Sequence, residues 1–185
     1  MSGHSKWSTI KRAKGAADVK RGKLFSKLSR EISMAARSGT PDPNLNPLLR
    51  SAVEKARSFN MPKDNIARAI GAASAAGSLQ EAVYEGYGPS GVAFLVKVVT
   101  DNKNRTLSEI RRIFDNHGGK LGDAGSAAYI FKDPENPTFT IPVSDPAEAR
   151  KVLGLADDLD EQDDVAEVFS NFDIPDELVH QAASI

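Results

Sequence analysis

Val92-Ala93-Phe94-Leu95-Val96-Lys97-Val98-Val99-Thr100 is the longest apolar run in the chain, interrupted only by Lys97. Its length and its β-branched and aromatic content predict a strand. Gly88-Pro89-Ser90-Gly91 just before it predicts a turn, and Val83-Tyr84-Glu85-Gly86-Tyr87 a shorter strand, so a hairpin is expected. Downstream, Asn102-Lys103-Asn104-Arg105 closes the run. Thr106 and Glu109 have capping-box spacing ahead of Ile110, Ile113 and Phe114, which predicts a helix ending at His117-Gly118-Gly119. Ala127 to Phe131 reads as a strand, Asp133-Pro134-Glu135-Asn136-Pro137 as a turn, and Thr138 to Val143 as a strand pairing with the one before it. Ser144 or Asp145 then caps a helix through Val152, Leu153, Leu155 and Leu159, and Val165 to Phe169 is a last strand. The order from Val92 is βαββαβ. The fold class expected is α+β, with a ferredoxin-like domain carrying an extra N-terminal strand.

Upstream the period changes. From Asp18 to Arg37, Leu24, Phe25, Leu28, Ile32, Met34 and Ala35 recur near helical spacing, with cations on the complementary faces. Ser38 to Pro43 is a stop and a proline-rich turn. Leu48, Leu49, Ala52, Val53, Ala56 and Phe59 then mark a second helix, and Pro62, Asp64, Ile66, Ala69 and Ile70 a third, with Pro62 in its first turn. The small, low-complexity stretch Ala72 to Ser78 is the expected exit from this three-helix domain. The expected division is a basic helical domain over 1–78 and an acidic α+β domain over 79–185.

Charge divides at nearly the same place. Through Gln80 there are fifteen lysines and arginines against five acids, and beyond it nine against twenty, although the whole chain has a net charge of −1. A basic helical half points to a polyanion, and nucleic acid is the first partner expected. Nine cations fall in the first thirty residues: Lys6, Lys11, Arg12, Lys14, Lys20, Arg21, Lys23, Lys27 and Arg30, interleaved with Trp7 and Phe25. Lysine and arginine neutralise phosphates, and an indole stacks on a base or ribose. The bland reading of the same residues is a solvated helix face with Trp7 as an apolar anchor. Zinc-finger spacing, zipper heptads, RRM aromatics and a GxxG clamp are all lacking, so phosphate and shape recognition are expected over base readout.

Asn60-Met61-Pro62-Lys63-Asp64-Asn65 reads either as a helix entry or as an exposed loop tip, with Met61 and Lys63 poised to enter a groove. Asp101 to Thr106 reads either as a capped turn or as a strand-to-helix junction whose free amides hold a phosphate. No catalytic residue is assigned. His4, His117 and His180 are scattered, without the i, i+4 spacing of a helical metal pair, and no nucleophile elbow or phosphate loop is present. Cysteine is absent, which removes disulfides and thiolate sites. No metal, cofactor or small-molecule substrate is expected. The longest apolar run falls far short of the twenty or so residues of a bilayer span, and the N-terminus lacks the apolar core of a secretion signal, so the expected location is cytoplasmic.

Several strings are together specific: Gly3-His4-Ser5-Lys6-Trp7, Lys20-Arg21-Gly22-Lys23-Leu24-Phe25-Ser26-Lys27-Leu28, Asn60 to Ile66, Tyr84-Glu85-Gly86-Tyr87-Gly88-Pro89, Thr100 to Thr106, and His117-Gly118-Gly119. In this order they resemble the YebC family, from Gly3 to about Phe131 and again from Thr138 through Pro175. Between those points this chain departs, because Asp133 to Pro137 turns the corner where family members usually carry an inserted third α/β domain. The resemblance implies one of two roles. Family members are described as DNA-binding transcriptional regulators, and also as ribosome-associated factors that aid peptide-bond formation at stalling sequences, with a mitochondrial relative acting as a translational activator. By resemblance, the contact surface on ribosomal RNA and tRNA, or on DNA, comprises His4, Lys6, Trp7, the cations from Lys11 through Arg30, and Met61, Lys63 and Asn65. The missing insert puts in doubt any role that depends on the third domain.

Overall fold

The computed structural model describes residues 17–73 and 79–182, with only the backbone described for 17–21. They fall into two compact units, Ala16–Gln80 with Val99–Asn102, and Glu81–Val98 with Lys103–Ile185.

The helical unit holds α1 (Ala17–Arg37), α2 (Pro47–Ser58) and α3 (Lys63–Ala72). Leu28, Ile32 and Ala36, one turn apart on α1, pack with Leu49, Ala52, Val53 and Ala56 of α2 and with Ile66 and Ala69 of α3. The bend between α1 and α2 is organised by Asn46, 5 % exposed. Its amide donates to the Ala35 and Thr40 carbonyls at 2.7 and 3.0 Å, and its oxygen accepts the Leu49 N–H at 3.1 Å. Asn46 is thus the α2 N-cap and the latch to α1.

Met61 is not a loop tip. Asn60 takes a left-handed φ of 58°, Met61 donates its N–H to the Ala56 carbonyl at 3.0 Å, and its side chain is buried in the helical core. The reversal that joins α2 to α3 in so few residues turns Met61 inward and leaves Lys63 exposed. Pro62 stands one position outside the helix, as the N-cap.

The second unit is α+β, as expected. It contains β1 (Gln80–Tyr87), β2 (Ala93–Thr100), α4 (Lys103–Asn116), β3 (Lys120–Leu121), β4 (Ile141–Pro142), α5 (Pro146–Glu161), β5 (Val165–Ser170), β6 (Phe172–Asp173) and α6 (Asp176–Ala182). The main sheet runs β3-β1-β2-β5, and β4 and β6 form a parallel pair beside it. The strand read as an extra one, β1, is therefore an inner strand. Phe94, Val96 and Val98 of β2 pack against Ile110 and Phe114 of α4 and Val152, Leu155 and Leu159 of α5. Ala93 and Leu95 point the other way, onto Ala127, Ile130 and Phe131. A strand covered on both faces needs apolar residues at successive positions, which accounts for the unbroken run.

Three expected details differ. Ala127 to Phe131 is not a strand: Ala128–Phe131 is a 3₁₀ turn, held by the buried Glu85, whose carboxylate accepts the N–H groups of Gly125, Ala127 and Ala128 at 2.8, 2.6 and 2.8 Å. Of Thr138 to Val143 only Ile141–Pro142 is extended, and it pairs with Phe172–Asp173, while Thr138 donates its N–H to the Ile130 carbonyl at 2.8 Å. Thr106 is not a cap, because α4 begins at Lys103. Its hydroxyl donates to the buried Asp164 at 2.7 Å, beside Arg105 at 2.9 Å.

The Tyr84 to Pro89 string is packing chemistry. A Cβ on Gly86 would meet the Phe114 ring at 2.7 Å and the Lys120 carbonyl at 2.9 Å. Phe114 is itself fixed edge-on against Phe94, centroids 6.0 Å apart. Gly86→Ala is expected to cost about 2 kcal/mol by overpacking, read as a lower urea midpoint with unchanged slope.

Candidate nucleic-acid interface

Burial of Leu28, Ile32 and Ala36 fixes the rotation of α1. Lys23, Lys27 and Arg30, spaced four and three apart, consequently run along another face of the helix. Lys23 is exposed, and Lys27 and Arg30 are half-buried. Lys20 and Arg21 lie within α1. His4, Lys6, Trp7, Lys11, Arg12 and Lys14 fall outside the described residues.

Beside this row lies an open groove of about 420 Å³ between α1 and α3. Ser26, Ser29, Arg30 and Ser33 line it from α1, and Asn65, Arg68, Ala69 and Ala72 from α3, each set at helical i, i+3, i+4, i+7 spacing. Small residues let the two backbones approach. Ser33 Oγ donates to the Ala69 carbonyl at 2.7 Å and Arg37 Nε to the Ala73 carbonyl at 2.9 Å, tying the helices together. Arg68 donates to Asn65 Oδ1 at 2.5 Å, which orients both side chains. The structure thus brings Arg30 and Asn65 to one groove and leaves Lys63 exposed at the start of α3. Sequence reasoning passed over Arg68, Ser26 and Ser29; the signal was the three-residue spacing of Asn65 and Arg68 ahead of Ala69 and Ala72.

The junction at Asp101 to Thr106 is a turn held by local hydrogen bonds. Asn102 donates its N–H to Thr100 Oγ1 at 3.0 Å, and Tyr84 donates its hydroxyl to the Lys103 carbonyl at 3.1 Å. Burial, and then the nearby Asp164 carboxylate, pushes the Tyr84 phenol above its ordinary pKa. His117 pairs with Asp158 at 2.7 Å. Among the described residues no cluster of three or more His, Asp or Glu side chains is arranged to hold a metal ion, and no helix is long and apolar enough to cross a membrane.

Residues 5–76 match the TACO1/YebC protein N-terminal domain, and residues 79–134 match the TACO1/YebC second and third domain. The chain belongs to the TACO1/YebC family. A relative from Dictyoglomus thermophilum, named "Probable transcriptional regulatory protein", is 42 % identical over 246 aligned positions that cover 97 % of this chain and 98 % of the relative. An alignment that long against 185 residues sets dozens of the relative's positions opposite no residue here. A Treponema denticola relative of the same name is 61 % identical over 134 residues, 71 % of this chain and 54 % of its own. Among solved structures, the conserved hypothetical protein Aq1575 from Aquifex aeolicus superposes with a TM-score of 0.80 at 34 % identity, covering 87 % of this chain and 93 % of that one. The match to the TACO1/YebC second and third domain stops at residue 134, inside the turn Asp133 to Pro137.

Proposed function

We propose that this TACO1/YebC member is a non-enzymatic, cytoplasmic nucleic-acid-binding regulator, a ribosome-associated translation factor whose helical half contacts ribosomal RNA and tRNA. The observation that carries the reading is the cationic row Lys23, Lys27 and Arg30, set on a helix whose opposite face is committed to the core. Phosphates neutralised along such a row release counterions, a binding term that is indifferent to sequence and strong enough to position a module on folded RNA. Lys20, Arg21 and the cations of the first fourteen residues are taken as further phosphate contacts on the strength of the sequence alone, with Lys63 and Asn65 as contacts from α3. Met61, being buried, is withdrawn from the set. Orientation of the reacting tRNA ends, and not a catalytic side chain, is the contribution such a factor makes.

The relatives' printed name favours a second reading, a transcriptional regulator that uses the same row on duplex DNA. Sucrose-gradient sedimentation of a cell extract separates the two. Co-migration with ribosomal particles, abolished by RNase, is the expected result. Migration in the free fractions together with a defined promoter footprint would replace the translation reading with the transcriptional one.

A further inference from the structure

We propose that the groove between α1 and α3 seats a short stretch of single-stranded RNA, with Arg30 and Arg68 on its phosphates and Phe25 against a base or ribose. The inference rests on the nucleic-acid reading above and assigns it a site. A volume of about 420 Å³ lies within the ~300–1,000 Å³ range of sites that take small ligands. That is room for a nucleotide or two and too little for a duplex. Arg30 lines the groove from α1 and Arg68 from α3, and none of the ten lining residues is acidic, so the lining favours an anion.

Arg68 is oriented by its bond to Asn65, and one guanidinium offers five donors, leaving capacity for a phosphate. Ser26, Ser29 and the Asn65 amide supply the mixed donors and acceptors that a ribose 2′-hydroxyl requires, which selects RNA over DNA. Phe25 presents an aromatic surface of the kind on which unstacked bases settle regardless of sequence. The cationic row on α1 ends at this groove, since Arg30 belongs to both. A strand following the row is delivered to it.

Fluorescence anisotropy with labelled decauridylate, a decathymidylate and a short RNA duplex tests the assignment on the full chain. Arg68 and Ala72 are both exposed, so their substitution spares the core; circular dichroism checks this. Arg68→Ala is expected to weaken decauridylate binding about tenfold and to lower the salt slope by about 0.7, the loss of one single-strand phosphate contact. Ala72→Glu sets a carboxylate in the groove and is expected to weaken decauridylate at least as much, while Arg68→Lys retains most of the affinity. Duplex binding stays within about twofold of the parent in each variant. Unchanged decauridylate affinity in Arg68→Ala and Ala72→Glu, with the parent protein binding normally, removes the groove alone. An equal loss on the duplex, or tighter binding of decathymidylate than decauridylate, also overturns it. A parent protein that binds none of the three probes overturns the nucleic-acid reading itself.

Discussion

Replacing Lys20, Arg21, Lys23 and Lys27 together by glutamate is expected to weaken RNA binding by about a thousandfold or more at roughly 0.1 M salt. Each phosphate contact on a polyanion contributes close to one decade at that ionic strength through counterion release, and four are removed at once. Reversal, unlike neutralisation, also adds repulsion against the remaining phosphates. The slope of log affinity against log salt falls by about 3 for the same reason. The fold is expected to survive, because the buried face of α1 is carried by Leu28, Ile32 and Ala36, none of which is touched. A filter-binding titration over a salt series measures both quantities. A variant that keeps the parent affinity and slope would take α1 out of the interface.

The second large effect concerns stability. Glu85→Ala removes three charge-assisted bonds to the amides of Gly125, Ala127 and Ala128. Ala127 is fully buried, so its N–H gains no water in exchange. Bonds to ionised acceptors are worth about 1.5–3 kcal/mol each, and a stranded buried donor adds its own desolvation cost. Because the 3₁₀ turn also carries Ile130 and Phe131 onto the sheet, Glu85→Ala is expected to cost about 4 kcal/mol in urea unfolding, with hydrogen exchange in 125–131 rising first. Glu85→Gln keeps a single acceptor oxygen and is expected to lose about half as much. A cost below about 1 kcal/mol for Glu85→Ala would mean that the turn is held by its apolar contacts alone.

The elements legible in the sequence were those whose cause is local. The Val92 to Thr100 run, the near-helical apolar spacing of α1 and the cap at Ser144 or Asp145 each depend on residues within a turn or two; the first two stand as read, and Asp145 is the cap. What escaped depends on distant partners. Ala127 to Phe131 has the composition of a strand, and it is Glu85, some forty residues upstream, that gathers its amides into a turn. Thr106 has capping-box spacing to Glu109, yet its hydroxyl is taken by Asp164, 58 positions downstream in the sequence. The sequence leaves Met61 open between a helix entry and an exposed loop tip, and the left-handed Asn60 and the burial of Met61 decide for an inward turn. For the interface, the cations were visible one by one. The groove was not, since it requires Arg30 and Arg68, thirty-eight positions apart in the numbering, to line one groove from two packed helices.

The hydrogen bond from Thr138 to Ile130 clasps the two ends of the loop over 131–137, so the polypeptide enters and leaves that loop through a doorway one bond wide. Whatever is spliced between those two posts leaves the sheet registers as they are, and closing a longer excursion costs entropy only logarithmically in its length. The corner is therefore a cassette port. A reporter domain seated in place of Asp133 to Pro137 is expected to leave the host fold intact on the same terms.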